Sequence, residues 1–429
     1  MNTRTVRAGE NHQMFNVDPH RLAVAYRQAI LNEFELDRYW QLRDAELGAL
    51  QVVVPRVHKL KKYLKLPKAV LPALFGISVR SWWLLIFGPL MAFKAIVLCH
   101  NILRRRAKTA DILSAQGAGL IFAGTSIINR SLGRLPKLVK LPLHCLATSP
   151  VIAKSLQQAG YSVWLPEDIL NLRDVWGILL LSWQIGRRAA RSRQNNVGLP
   201  LQTYTCLEWV TVAVALSRLG PRTVWMTNLY DRWAVLVDFF CRGYEAMPLR
   251  DSSRLGRKCT VLQHGIEYAD FPPLYKMRRI DSIWSFHKPS ALIYLDLSVH
   301  SSEKVTIHDF GSKICLQKGE ELPGRYRVLL ILHPMISERM HSLVQKIWQD
   351  SRFHIFAKPH PLYDQSDFAR YSSQSYALIG CPDFFPEVEA VVSYRSALAT
   401  EYEAVGALIL YVEDESDEKI IQKLITYAQ

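Results

Sequence analysis

Arg327-Val-Leu-Leu-Ile-Leu332, Phe353-His-Ile-Phe-Ala357 and Glu389-Ala-Val-Val-Ser393 decide the fold of this chain. Each is a short apolar run with no polar alternation, the pattern of a strand buried on both faces of a parallel sheet. Helical spacing fills the chain from Ile336 to Asp350 between the first two runs. After the third, Ser396 is placed to cap a helix that Gly406 closes before a further strand, Ala407 to Val412. In such a sheet, ligands collect outside the carboxyl ends of the strands. Lys358-Pro-His-Pro361 and Ser393-Tyr-Arg-Ser396 both fall at such ends. His333-Pro334 ends the first run in the same way, with a plain strand terminus as its alternative reading.

Upstream, short apolar runs at Gly119 to Ala123, Leu143 to Thr148, Tyr161 to Leu165, Arg222 to Met226 and Cys259 to Gln263 alternate with helical stretches. They predict a first sheet of the same kind. The expected class is therefore α/β, with two doubly wound Rossmann-like domains and a helical N-terminal region. The expected boundaries are a basic, mostly helical, membrane-proximal region over 1–108, an acceptor domain over 109–280 and a nucleotide-donor domain over 281–429, the second sheet starting near Asp281. The acidic stretch Glu413 to Glu418 reads as a solvated loop before the last helix.

At 429 residues and 49% hydrophobic content, the chain can fill two cores. Seven scattered cysteines without a CxxC pair argue against disulfides and a zinc site. Met1 to His20 are polar and lack the apolar core of a secretory signal. The net charge of +15 calls for a polyanionic partner. No helix-turn-helix, zinc-finger or RNP signature accompanies it, so nucleic acid is not the expected one. Basic clusters at His58 to Lys62, Arg104 to Arg106 and Arg187-Arg188 lie near Trp-rich apolar sequence, which favours an anionic membrane surface. Ser81 to Cys99 is the most apolar stretch, interrupted by Lys94 and Gly88-Pro89. It reads as a helix lying in the headgroup region, with a buried helix and a membrane span as open alternatives. The expected location is cytoplasmic, peripheral on the inner face of the cell membrane.

The strand ending in Gln263-His-Gly265, the strand ending in Lys358-Pro-His-Pro361, and the Ser-rich turn into a helix with Glu401 five residues before Gly406 resemble the GT-B glycosyltransferases of bacterial envelope polysaccharide synthesis. The likeness covers roughly residues 220 to 412 and is closest in style to capsule and lipopolysaccharide enzymes using CMP-sugars and to CDP-glycerol phosphotransferases. It implies transfer of a sugar from a nucleotide-activated donor, CMP- or CDP-linked by preference, to a lipid-linked or polysaccharide acceptor. A CDP-polyol phosphotransferase of a teichoic-acid-like polymer and a non-catalytic membrane-associated scaffold are the alternatives.

The resemblance implies donor contacts from His360, with Lys358, Ser393, Ser396 and His333 around the phosphates and Glu401 on the ribose; Glu403 competes for that last role. His264 is the candidate general base, since an imidazole titrates near working pH. Glu267 and Asp231 are alternatives, and Asp231 is equally placed to cap a helix. No strand-terminal Asp-x-Asp, P-loop or Gly-x-Gly-x-x-Gly is present. Transfer without a metal or cofactor is therefore expected, with protein cations and helix dipoles neutralising the leaving group.

Overall fold

The computed structural model describes residues 18–46, 87–105, 118–190 (except 126, 136–138 and 143), 203–227, 231–243, 257–263, 275–311, 314, 316–318, 324–332, 337–359, 377–379 and 384–428. In chain order, the first half carries α1 (Pro19–Glu46), α2 (Gly88–Arg104), β1 (Gly119–Ala123), α3 (Ile127–Arg134), β2 (His144–Ala147), α4 (Pro150–Gln158) and β3 (Ser162–Trp164). There follow α5 (Pro166–Ile169), α6 (Leu172–Ala190), α7 (Cys206–Leu219), β4 (Thr223–Met226), α8 (Arg232–Cys241), β5 (Lys258–Leu262), β6 (Ser282–Ser285), α9 (Lys288–Ser298) and β7 (Thr306–Asp309). The remainder is β8 (Tyr326–Leu332), α10 (Ser337–Trp348), β9 (Phe353–Pro359), β10 (Ala377–Leu378), β11 (Ala390–Ser393), α11 (Ala397–Glu403), β12 (Leu408–Tyr411) and α12 (Asp417–Tyr427).

The strands form two parallel sheets, one of seven strands in the order β3-β2-β1-β4-β5-β6-β7 and one of five in the order β10-β9-β8-β11-β12. Each starts near its middle, winds outward to one edge and then reverses. The reversal falls between β1 and β4 in the first sheet and between β8 and β11 in the second. These are the topological switch points at which open α/β sheets place ligands. The expected class, α/β with two Rossmann-like sheets, is the observed one.

The expected start of the second sheet near Asp281 needs correction. β6 and β7 pair onto β5 in parallel and extend the first sheet, and the second begins only at β8. Ser282–Ser285 and Thr306–Asp309 are short, mixed in polarity and only half-buried, so nothing local tells which sheet they join. Ladder pairing to Thr260 and Leu262 decides it.

Local chemistry sets the helix ends. α7 is apolar on nearly every face, is buried accordingly, and stops at Gly220, whose φ of 52° is the left-handed conformation glycine takes most readily. Ser149 caps α4 ahead of Pro150, and Ser416 caps α12, whose first turn holds Asp417 and Glu418. The acidic stretch is thus only in part a loop. Arg339 also ties it down, reaching Asp417 Oδ1 at 2.8 Å and the Glu415 carbonyl at 2.6 Å.

One face of the first sheet packs with α1, α2, α6, α7 and α8 into a single apolar core, while α3 and α4 cover the other face of β1 to β3. The N-terminal helices therefore belong to the first sheet's own core and do not form a separate layer. α1 touches both α6 and α8, and its Tyr26 hydroxyl meets Thr205 Oγ1 at 2.9 Å. In the second half, α10 and α12 bury one sheet face and α11 the other.

Candidate functional site

At the second switch point, the pairing registers set three residues in one row. Lys358 of β9 pairs with Ile331 of β8, and Ile331 pairs with Ser393 of β11. With strands about 4.8 Å apart, the Lys358 and Ser393 backbones lie roughly 10 Å from each other on the same face. β9 runs one step past the row, so that Pro359 pairs with Leu332, the last residue of β8. The motif Lys358-Pro-His-Pro361 thus begins inside the strand and not after it. His333 and His360, which follow this paired end in sequence, lie outside the described residues.

Lys358 is buried. Its Nζ donates to the Phe384 carbonyl at 2.9 Å and stands 4.7 Å from the centre of the Phe385 ring. A cation removed from water needs such partners. Ser393 is fully buried, and its hydroxyl donates to the Tyr394 carbonyl at 2.5 Å and lies 3.3 Å from Ser396 Oγ. Ser396 caps α11, accepting from the Ala399 N–H at 3.2 Å. In this form both hydroxyls hold the turn between β11 and α11.

Glu401 and Glu403 separate cleanly. Glu401 is 5% exposed and points into the molecule, whereas Glu403 faces water. Next to Glu401, Tyr402 donates to the Pro386 carbonyl at 2.9 Å, and burial together with the Glu401 charge pushes its phenol well above the ordinary range.

The first switch point is built differently. Asp231 Oδ1 accepts from the N–H groups of Trp233 at 3.0 Å and Ala234 at 2.8 Å. Glu33, from α1, accepts from the Arg232 N–H at 3.2 Å and pairs with the Arg232 guanidinium at 2.6 to 2.9 Å. The first three N–H groups of α8 are therefore taken by two carboxylates. Those N–H groups are thereby not offered to an anion. Capping alone accounts for an Asp at position 231, the alternative open from the sequence. Trp233 packs against the end of β1, where a Cβ on Gly124 would lie 2.8 Å from its indole.

Gln263 closes β5. Its side chain is buried, donates to Ser290 Oγ at 3.0 Å and accepts from Ser285 Oγ at 2.5 Å, which fixes the strand end immediately before His264. His264 and Glu267 lie outside the described residues. Among the described residues no three His, Cys, Asp or Glu side chains gather as a metal site.

Sequence reasoning passed over Glu33, Gly124 and the row shared by Lys358 and Ser393. Glu33 is one carboxylate among several in a long helix. Its role depends on a residue 199 positions away. The row could be inferred only from a register, which a single sequence does not print.

No protein-family model matches the chain, and no curated protein matches it in sequence. Among solved structures it is similar to the glycosyltransferase VinC in complex with dTDP, at 12% identity and a TM-score of 0.34, over 72% of this chain and 90% of that one. It is also similar to the wall teichoic acid polymerase TagF, at 8% identity and a TM-score of 0.30, over 70% and 72%. A third similarity is to MurG of Acinetobacter baumannii, at 12% identity and a TM-score of 0.30, over 73% and 91%. Likeness at this level assigns no residue roles.

Proposed function

We propose that the chain is a GT-B glycosyltransferase that takes a sugar from a nucleotide-activated donor held by the second sheet. The observation that carries this reading is the row of Lys358, Ile331 and Ser393 across the second switch point, one turn from a helix capped by a neutral serine. A buried cation beneath a strand end, with a carboxylate turned inward on the next helix, suits an anionic group and a hydroxyl-rich one side by side. The contrast with the first sheet supports the assignment. There the corresponding helix start is closed by Asp231 and Glu33, which disfavours a phosphate and leaves that sheet for the acceptor.

In this reading Lys358 places positive charge under the departing phosphate, with His360 and His333, which follow β9 and β8 in sequence, as further donor contacts. Ser393 and Ser396 shape the turn that approaches the phosphates, and Glu401 takes the ribose hydroxyls. Gln263 anchors the chain so that His264, or Glu267 beyond it, can remove the acceptor proton, while Asp231 serves as a cap. Displacement is direct, inverting and independent of a metal. The acceptor is a lipid-linked or polysaccharide chain of a cell-envelope pathway, and the donor is CMP- or CDP-linked.

A thermal-shift and nucleotide-release screen with CMP, CDP, UDP and GDP donors tests the proposal on wild type and His360→Ala. Stabilisation by one nucleotide that the variant loses supports it and names the base. No response to any donor overturns it.

A further inference from the structure

We propose that the paired helices α2 and α6 form a docking face for an anionic lipid bilayer. α2 buries Met91, Ala95, Leu98 and Ile102 toward the core and leaves Phe93, Ile96 and Leu103 in water, the first two 63% and 68% exposed. α6 exposes Trp176, Leu180 and Trp183 along one stripe, with Trp176 at 64%. These positions recur every three or four residues, so on each helix they form a single outward face. Both helices lie against the buried helix α7, which turns their other sides outward. Scattered exposed apolar residues need no explanation, but a contiguous group on two neighbouring helices does.

The two helices run antiparallel. The Phe87 ring at the start of α2 lies 5.8 Å from that of Trp183 late in α6, while Arg105 at the other end reaches Asp168, ahead of α6, at 3.7 Å. Exposed Arg104, Arg105 and Arg173 consequently border one end of the face, and exposed Arg187 and Arg188 the other. α2 contains no acidic residue, and the one acid of α6, Asp174, is buried against Arg218 at 2.5 Å. The exposed charges on the two helices themselves are thus all basic, while the nearby acids Asp168 and Glu167 on α5 meet Arg105 and Asn101, and Glu208 on α7 acts on Lys94. The basic helices complement anionic headgroups and would set arginine against arginine in a second copy of this chain. Indole rings flanked by arginines suit the headgroup level. No helix among the described residues is long and apolar enough to cross a membrane.

The test is co-sedimentation of the full chain with vesicles of phosphatidylglycerol and phosphatidylcholine, and with phosphatidylcholine alone. The probe is the neutral double variant Ile96→Ser/Trp176→Ser, and the control is Val151→Ser, an exposed apolar residue on α4 away from the face. Wild type and control are expected to sediment with the anionic vesicles, and the double variant to lose at least tenfold of that binding with an unchanged melting curve. If the double variant melts early, Phe93→Ser and Trp183→Ser are read singly in its place. Equal binding by wild type and the folded variants overturns the proposal, because basic charge elsewhere then suffices. So does absence of wild-type binding, or a dimer in light scattering that the double variant converts to monomer. No donor enters the assay, so either result leaves the transferase reading untouched.

Discussion

Glu33 and Arg232 stand 199 residues apart in sequence and meet in a buried, doubly bonded ion pair, with their side chains 6% and 10% exposed. The same carboxylate accepts the Arg232 backbone N–H, so a residue of the first helix completes the cap of the helix that leaves the first switch point. The Arg232 guanidinium loses water, but the Glu33 charge and hydrogen bonds outweigh that loss and push its pKa up.

Breaking that pair should be costly. Glu33→Ala leaves a guanidinium buried without its carboxylate, a situation worth about 3–5 kcal/mol. Urea unfolding should show the loss. The double variant Glu33→Leu/Arg232→Met should recover most of it, since no lone charge then remains. Equal midpoints for Glu33→Ala and wild type would contradict the ion-pair assignment.

Asp231 allows capping to be told from catalysis. Asp231→Ala should cost about 1 kcal/mol through the lost cap. Asp231→Ser keeps an acceptor for the Trp233 and Ala234 N–H groups and should restore stability. Transfer activity is expected to follow the stability of the two variants; an Asp231→Ser protein that is stable yet inactive would return Asp231 to the list of bases.

At the other switch point the two neighbouring glutamates should behave differently. Glu401→Gln is expected to weaken donor binding at least tenfold in a titration calorimetry measurement, while Glu403→Gln, on the water side, changes it by less than twofold. The reverse order would shift the ribose contact to Glu403.

Gly124→Ala places a methyl 2.8 Å from the Trp233 indole at the end of β1. Either the ring or the strand end must move, with an expected loss of about 1–3 kcal/mol. Thermal melting reads this directly, and an unchanged melting temperature would mean that Trp233 has room to withdraw.

Acid sensitivity should come in part from Glu389. Burial alone would raise its carboxyl; the side-chain and backbone N–H groups of Arg327, with the guanidinium charge, outweigh that and hold it below the usual range. A carboxylate with a lowered folded pKa stabilises the protein above its unfolded value of about 4.3, and that contribution is lost as pH falls through the folded value. Wild type should therefore melt above Glu389→Gln at neutral pH, and the two curves should converge on acidification. Parallel curves would remove Glu389 from the account.

The strands Arg327 to Leu332, Phe353 to Ala357 and Glu389 to Ser393 were legible because burial on both faces of a sheet favours largely apolar runs of strand length, bounded by turn residues. Ser396 and Gly406 were legible as helix ends for an equally local reason, the hydrogen bond a cap must accept and the backbone a terminus must adopt. Those residues by themselves determined an α/β chain with parallel strands and capped helices. Tertiary structure decided what depends on pairing across distance. It set Ser282–Ser285 and Thr306–Asp309 in the first sheet and Lys358 in one row with Ser393. It also turned Asp231 into a cap beside Glu33 and divided buried Glu401 from exposed Glu403. A strand's register and a side chain's burial are fixed by partners far along the chain, and no local pattern carries that information.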